Sequence, residues 1–312
     1  MILISSDQYD YSTNHIIDWL IFFKEKFIRI NKNDDYKITF SESKLNLSFD
    51  GESIDLSKLT GYFYRRGKIQ NKHDNNSMDH LNDVSNDHSK IIDEYINFIL
   101  ERKISIGKYS TVNINKLIVL EVAKEIGFAI PNSYIIDKKS DISFLYNFNS
   151  ELITKNHSNN SFFECEDGIL IAYTSVLDDD NYKKIPELFS PSLFQEKIEK
   201  KYEIRVFYLN EKMWSMAIIS QIDSATKNDY RKMSDSIVRN VPYSLPIDIE
   251  KKIIKLMKQL NLDTGSIDLI VNKKNEYIFL EVNPIGQFGS VSFNCNYNIE
   301  KEIAKFLANE HA

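Results

Sequence analysis

The sequence has 312 residues, of which 42% are hydrophobic and 12% aromatic, enough for a large core and more than one packed lobe. Its formal net charge is -6, which argues against nucleic-acid binding because such proteins usually carry an excess of Lys and Arg. Two cysteines, Cys165 and Cys295, are too few for a disulfide framework and favour reduced thiols in the cytoplasm. The N-terminus lacks a signal peptide's basic segment, and the longest apolar run, Trp19 to Phe23, is too short to span a membrane.

Strand-like and helix-like segments alternate along most of the chain, a pattern typical of an α/β fold. An Asn-, Asp-, His- and Ser-rich segment at 71–87 predicts a mobile loop. The elements predicted around it are a strand at 2–5, a helix at 15–29, strands at 38–40, 45–49 and 62–64, and a helix at 89–100.

Histidines and arginines in this first part carry no clear chemistry. His73, His80 and His88 lack the Cys or paired carboxylates that complete a metal site, so solvated side chains are the favoured interpretation. Arg65 and Arg66 follow a strand and are predicted to be surface charges.

The second part of the chain begins with a capped helix. Asn115 is placed to cap a helix from Lys116 to Ile126, which Gly127 ends. Further along, the polar segment 222–240 precedes the final elements. The elements predicted in this part are strands at 134–136, 152–155, 162–163, 169–173, 203–209, 213–220, 265–271 and 277–282, and helices at 249–260 and 299–308; a third region starts at 193–198.

The most informative feature is the hairpin formed by the last two strands. Counting back from a turn between Lys274 and Asn275 pairs Ile270 with Phe279, and Asp268 with Glu281. Directly opposed residues share a face with Cβ atoms ~5 Å apart. Asn283, two residues beyond Glu281, joins that face. Two carboxylates flanked by apolar residues repel each other unless a cation compensates them.

Two acids and one amide form an all-oxygen set, which suits Mg²⁺. Asp268, Glu281 and Asn283 are therefore the candidate metal ligands. The alternative is a charged strand end that faces water, and the residues alone leave the two interpretations about equal. Calcium is a weaker alternative because it takes more ligands.

Lysines and arginines elsewhere suggest contacts with an anion. Lys155 ends a strand beside a polar loop, where a phosphate would meet a cation, and Lys116 starts a helix, where a cation opposes the helix dipole. Arginine clamps carboxylate and phosphate well, and Arg205, Arg231 and Arg239 precede the hairpin. A solvated Lys155 and surface pairs for the arginines remain the simpler alternative. No phosphate loop of the G-x-x-x-x-G-K-[ST] type, no G-x-G-x-x-G and no nucleophile elbow is present.

The order of motifs from about residue 113 to 298 resembles the ATP-grasp superfamily. The motifs are N-K-L-x-V-L-x-x-A-x-x-x-G-F-x-I-P at 115–131, L-I-T-K at 152–155, F-Q-E-K-I at 194–198, Y-E-I-R-V-F-Y at 202–208, G-S-I-D-L-I at 265–270 and F-L-E-V-N-P at 279–284. The resemblance implies an N-terminal pre-ATP-grasp domain at 1–110, a central ATP-grasp subdomain at 111–192 and a C-terminal subdomain at 193–312.

Within that superfamily the chain is most similar to the graspetide ligases, the microviridin-type and grasp-with-spasm peptide maturases. The motifs that carry this likeness are Y-R-R-G at 64–67, K-Y-E-I-R-V-F-Y at 201–208, W-S-M-A-I-I-S-Q at 214–221, R-N-V-P-Y-x-L-P at 239–246 and N-P-I-G-Q-F-G at 283–289. One departure is the loop 156–161, which lacks the glycines with which ATP-grasp enzymes often close over the triphosphate.

The resemblance implies ATP and Mg²⁺ as cofactors and assigns roles to individual residues. Lys116 and Lys155 are expected to contact the phosphates, and Glu203 the ribose hydroxyls. Glu196, Lys197 and Ile198 are expected to line the adenine hinge. Asp268, Glu281 and Asn283 match the magnesium ligands. The expected catalytic residues are Arg205, Arg239 and Arg231.

The implied reaction is phosphorylation of an Asp or Glu side chain in a ribosomal precursor peptide, followed by attack of a Ser/Thr hydroxyl or Lys amine of the same peptide. The product is an ω-ester or ω-amide ring. The implied partner is a precursor with a leader and a Thr/Glu/Asp-rich core, without nucleic acid or membrane, and a homodimer is left open. The alternatives are a ligase for free amino acids or small acids, and a nucleotide-binding regulatory module without turnover.

Overall fold

The computed structural model describes residues 1–32, 34, 36–41, 44–49, 52–67, 79–146, 151–155, 162–165, 168–171, 174–220 and 238–309. It has a mixed α/β architecture, as predicted. None of the helices within these ranges is both long and apolar enough to cross a membrane.

The N-terminal part is built on a parallel sheet in the strand order β2-β1-β6-β7, beside an antiparallel sheet in the order β3-β4-β5. Its elements in chain order are β1 Ile2–Ser6, α1 Tyr11–Phe22, β2 Phe27–Asn31, β3 Tyr36–Ser41, β4 Lys44–Phe49, β5 Glu52–Asp55, β6 Gly61–Tyr64, α2 Asp79–Leu100 and β7 Ile104–Ile106. We call the parallel sheet the N-terminal sheet. The apolar side chains of β1 alternate between two cores, with Leu3 packing toward β4 and α2, and Ile2 and Ile4 toward α1.

The central part contains an antiparallel sheet in the order β12-β9-β13-β8, here the central sheet. Its elements are α3 Lys116–Ile126, β8 Ser133–Lys138, α4 Lys139–Tyr146, β9 Leu152–Lys155, β10 Phe162–Cys165, β11 Gly168–Ile171, β12 Ser175–Val176, α5 Asp179–Lys184 and β13 Leu188–Glu196. Helix α3 has the predicted bounds. Asn115 Oδ1 accepts from the Leu117 and Ile118 amides, and Gly127 ends the helix at a φ of 95°.

The C-terminal part is an antiparallel sheet in the order β16-β15-β14-β17-β18, here the C-terminal sheet. Its elements are β14 Lys200–Leu209, β15 Lys212–Ile219, β16 Arg239–Tyr243, α6 Ile247–Gln259, β17 Thr264–Asn272, β18 Tyr277–Asn283, α7 Gly289–Cys295 and α8 Ile299–Leu307. One face packs against α3 and α6, and the opposite face against α1, α7 and α8. Because both faces are covered there, residues 206–209 of β14 form a continuous apolar run.

Three predicted elements differ from the structure. The helix predicted at 15–29 ends at Phe22, because Lys24 adopts a left-handed φ of 61° and the next five-residue segment pairs in parallel with β1. Helix α2 begins at Asp79, inside the predicted mobile loop, since extending an anchored helix costs little per added residue. Residues 71–78, with His73, lie outside the described ranges. The polar segment 222–240 runs into β16, an edge strand that tolerates Pro242.

Candidate active site

The carboxylate pair predicted on the last hairpin is present. Asp268 on β17 lies directly opposite Glu281 on β18, and Asn283 Nδ2 donates to Glu281 Oε1 at 3.3 Å. The predicted pairing of Ile270 with Phe279 is wrong, because the two strands leave the turn one residue out of the counted register and Ile270 faces Ile278. A β-bulge at Leu280 then adds one residue to β18, and this brings Glu281 opposite Asp268.

Cations from three other elements surround these acids. Arg205 on β14 donates from Nε to Asp268 Oδ1 at 2.8 Å and from Nη2 to Oδ2 at 2.7 Å, a bidentate pair. Lys116 Nζ, at the start of α3, lies 3.5 Å from Glu281 Oε2, and Lys155 Nζ, at the end of β9, lies 3.9 Å from the same atom. We call the set the acid–cation cluster; its members are Lys116, Lys155, Arg205, Asp268, Glu281 and Asn283.

The acid–cation cluster explains how two acids are tolerated on a largely buried strand pair. Asp268 and Glu281 are each 22% exposed, and their strand neighbours Leu269 and Phe279 are fully buried. Unpaired charges at such positions would be costly to desolvate. Here every carboxylate has a cationic partner from another element. The donor set, two carboxylates and an amide on one face, fits Mg²⁺, and a metal between the acids would leave Lys116 and Lys155 to bind phosphate oxygens.

No group of three His, Cys, Asp or Glu side chains placed to bind a metal occurs within the described ranges. A site with two acids and one amide is consistent with that finding.

Residues predicted to bind the nucleoside lie where β13 passes into β14. Glu203 forms an ion pair with Lys200. Glu196 accepts from the Asn132 side chain, while Lys197 Nζ binds Glu151 Oε2 at 2.5 Å. Ile198 is half-buried in the same segment. The pairing of β13 with β9, which ends at Lys155, places this segment beside the central sheet's contribution to the acid–cation cluster.

Arg239, another of the predicted catalytic arginines, is not brought to the carboxylates. Arg239 is exposed on edge strand β16 and pairs with Ile219, which by strand alternation places it on the face opposite Arg205. Its neighbour Asn240 pairs with Ile218, whose partner on β14 is Glu203. Asn240 Oδ1 is buried and has no hydrogen-bond partner within the described residues. Arg231 lies outside the described ranges.

The sequence interpretation missed one buried residue, Arg65. Predicted as surface charge, it is 4% exposed and donates from Nε to Asp10 Oδ2 at 2.9 Å. Its Nη1 donates to Gly286 O at 2.9 Å and its Nη2 to Gln287 Oε1 at 3.3 Å. Burial lowers the Arg65 pKa to about 10, with Asp10 opposing the shift. Arg65 therefore ties the N-terminal sheet to the loop that follows Asn283. The only sequence signal was its place after a buried strand.

The chain is similar in structure to peptide-modifying ligases. No protein-family model and no curated protein sequence matches it. The macrocyclase MdnC bound with precursor peptide MdnA from Microcystis aeruginosa MRC superposes with a TM-score of 0.82 at 23% identity, over 99% of each chain. A Chryseobacterium gregarium RiPP-associated ATP-grasp ligase, in complex with ADP and a leader and core peptide, gives 0.84 at 24% identity, over 100% of this chain and 97% of that chain.

A more distant structural match shows that ligases with different substrates share this fold. D-alanyl-alanine synthetase A from Vibrio cholerae O1 superposes with a TM-score of 0.59 at 13% identity, over 99% of this chain and 97% of that one. At these identities the likeness establishes the fold and leaves the activity to be argued from the site. The predicted fold is thereby confirmed: the chain has the ATP-grasp fold.

Proposed function

We propose that the chain is an ATP-dependent, ADP-forming ligase that closes rings in a ribosomally made precursor peptide. The observation that carries the proposal is the acid–cation cluster, which gathers a magnesium-type oxygen set, two lysines and an arginine from separate elements. Support for the peptide substrate comes from the two structures of highest TM-score above, one bound with a precursor peptide and the other with ADP and a leader and core peptide.

In this proposal the nucleotide lies between the central and C-terminal sheets. Lys116 and Lys155 bind its phosphates, Glu203 binds the ribose hydroxyls, and residues 196–198 line the adenine. Asp268, Glu281 and Asn283 hold magnesium, which when bound neutralises charge on the transferring phosphoryl group. Exchange of the Glu281 contact for phosphate costs the lysines little, because one anion replaces another.

The residues of the chain then act on the peptide. An Asp or Glu carboxylate of the peptide attacks the terminal phosphorus, ADP leaves, and an acyl phosphate forms. A Ser/Thr hydroxyl or Lys amine of the same peptide attacks the acyl carbon and expels phosphate as it loses its proton. Arg205 holds the acyl phosphate and developing oxyanion beside Asp268, with Arg231 as a further proposed contact. Arg239, on the opposite face of the C-terminal sheet, is not assigned to this step. Both reactants belong to one peptide, so the second step is effectively unimolecular.

We also propose the division into a pre-ATP-grasp domain at 1–110 and ATP-grasp subdomains at 111–192 and 193–312. Residues 1–110 coincide with the N-terminal sheet and its helices, whereas the boundary between the other two ranges falls inside β13, a strand of the central sheet. The proposed setting is the cytoplasm, where ATP and newly made peptide are both present. A homodimer is compatible with this proposal.

Mass spectrometry tests the function directly. The protein is incubated with ATP, Mg²⁺ and its cognate precursor peptide, and the peptide is expected to lose one water per ring. Added hydroxylamine is expected to trap the acyl phosphate as a hydroxamate. A mass gain by addition of free amino acids would favour the small-acid ligase, and binding of ATP without ADP release would favour the regulatory module. Glu281→Gln protein is the matched negative control.

A further inference from the structure

The turn that follows β6 is held rigidly at the carboxyl ends of the two central strands of the N-terminal sheet. Arg65 N donates to Ser5 O at 2.9 Å, which extends the pairing of β6 with β1 by one bond. Gly67 packs so closely on β1 that a Cβ there would lie 1.9 Å from Ser5 Oγ, so a larger residue does not fit. Arg66 lies between these two fixed residues, and its backbone position is therefore set by both neighbours.

Arg65 is fully occupied by structural contacts. Besides its hydrogen bonds to Asp10, Gly286 and Gln287, its guanidinium lies 5.0 Å from the centroid of the Phe288 ring. Gly286 N in turn donates to Asn283 O at 2.9 Å. The turn is thus linked through two contacts to a member of the acid–cation cluster, and Arg66 is the next residue along the chain.

Arg66 differs from its neighbour because it is under-paired. Its side chain is 43% exposed, and Asp10 Oδ2, 4.0 Å from its Nε, is its one ionic contact within the described ranges. Asp10 already accepts from Arg65 and from the Ser12 and Thr13 amides. Two guanidinium groups therefore share one carboxylate that already accepts three hydrogen bonds, and Arg66 is the one held less closely. Its exposed guanidinium keeps hydrogen-bond donors that an anion can use.

The location in the sheet also favours a ligand. Strand β1 leads through α1 to β2 on one side, while β6 lies on its other side, so the strand order reverses between β1 and β6. In parallel sheets, ligands bind outside the carboxyl ends of the strands at such a switch point. Ser6 is the last residue of β1 and Arg66 lies two residues beyond the end of β6, so both are at the carboxyl ends of these two strands.

We propose that Arg66 binds a carboxylate side chain of an acidic peptide at the rim of the active site, with Arg65 and Asp10 as positioning residues. The inference rests on the proposed function, because it names the surface that receives the acidic core of the peptide. A guanidinium forms two parallel hydrogen bonds to a carboxylate, and one held in place by rigid neighbours loses little entropy on binding.

The test measures binding by fluorescence anisotropy without turnover. The probes are a fluorescein-labelled peptide of alternating Thr and Glu, and the same peptide with Gln in place of Glu. Arg66→Gln is expected to weaken binding of the Glu peptide about tenfold and leave the Gln peptide unchanged. Arg66→Lys should recover part of the loss. Arg102→Gln is the matched control. Arg102 lies just before the amino end of β7, at the opposite end of the parallel strands from Arg66, so this variant is expected to bind the peptide as the wild type does.

The outcomes separate this inference from the proposed function. Equal binding of both peptides by the wild-type protein, or unchanged binding by Arg66→Gln, would overturn the inference even if the wild type closes rings. If the peptide binds in an Arg66-dependent manner but no ADP is released, the proposed carboxylate site at Arg66 would hold and the proposed ligase function would be wrong. If Arg66→Gln lowers ADP affinity as much as peptide affinity, Arg66 belongs to the nucleotide site and the inference fails.

Discussion

The charged pairs of the acid–cation cluster and the charged pair of the 196–198 segment differ in burial. In the acid–cation cluster the paired side chains are 15–22% exposed, and each acid is held by a cation from another element. In the 196–198 segment, Lys197 is 22% exposed but its partner Glu151 is 69% exposed. Surface pairs of the second kind contribute about 0–1 kcal/mol, whereas less exposed, bidentate pairs contribute more. The chemistry should therefore depend on the acid–cation cluster, and the adenine end should tolerate side-chain changes.

The largest effect is expected from Glu281→Gln, which removes one metal-binding carboxylate and keeps the shape of the side chain. ATP turnover should fall by at least about a hundredfold, with the melting temperature nearly unchanged. Glu276→Gln, in the exposed turn of the same hairpin, is the control and should turn over normally. Near-normal turnover of Glu281→Gln, with unaltered magnesium dependence, would remove Glu281 from the metal site.

Arg205→Met should be the next largest change, because it leaves Asp268 without its bidentate partner. A lost charge-assisted hydrogen bond in a part-buried site costs about 2 kcal/mol, so both stability and turnover should fall, the latter about a hundredfold. Urea unfolding and ADP release measure the two effects. In the double variant Arg205→Met with Asp268→Leu, stability should recover but turnover should not. Recovery of both would make the pair purely structural.

Arg239→Ala is expected to have a smaller effect, because Arg239 is exposed on an edge strand and lies on the opposite face from Arg205. Ring closure should fall no more than about tenfold, and nucleotide affinity measured by calorimetry should stay near the wild-type value. The matched variant is Asn240→Ala, whose side chain shares a face with Glu203. A hundredfold loss in Arg239→Ala would mean that the peptide reaches around the edge of β16.

Lys197→Ala should give the smallest change. Its ion pair with exposed Glu151 is screened by water, so the loss of nucleotide affinity should be severalfold at most and should shrink further at high salt. Calorimetric titration with ADP at two ionic strengths measures it. A loss of ADP affinity of about a hundredfold, the size of the turnover loss expected for Glu281→Gln, would mean that the 196–198 segment is as sensitive to substitution as the acid–cation cluster.

The sequence was sufficient to predict those parts of the fold and the site that depend on contacts between residues close in the chain. The cap at Asn115 and the left-handed Gly127 fix α3, and with it Lys116, through contacts within a few residues. The pairing of Asp268 with Glu281 was predicted by counting along one hairpin, but the count is correct there only because the bulge at Leu280 offsets a one-residue error at the turn. The bulge itself was not visible, because residues 278–280 are all apolar and show no alternation that an extra residue would break.

Long-range contacts were beyond the sequence. Arg65 is a typical surface residue by type, and its burial depends on Gly286 and Gln287, more than two hundred residues away in the chain. Strand β16 forms because the edge of β15 is open to pairing, and the sequence of β16 has no apolar alternation that would predict a strand. The same edge decides which face Arg239 occupies, which its position after a polar segment did not reveal.

The central claim, that Asp268, Glu281 and Asn283 hold one metal ion beside the phosphate-binding lysines, is tested most directly by crystallography. Crystals grown with ADP and Mn²⁺, a spectroscopic and anomalous substitute for Mg²⁺, would locate the metal without any assay of turnover. We expect an anomalous peak about 2.2 Å from oxygens of all three side chains, with ADP phosphate oxygens between that peak and Lys116 and Lys155. A nucleotide-bound structure whose manganese lies away from Asp268 and Glu281 would contradict the claim.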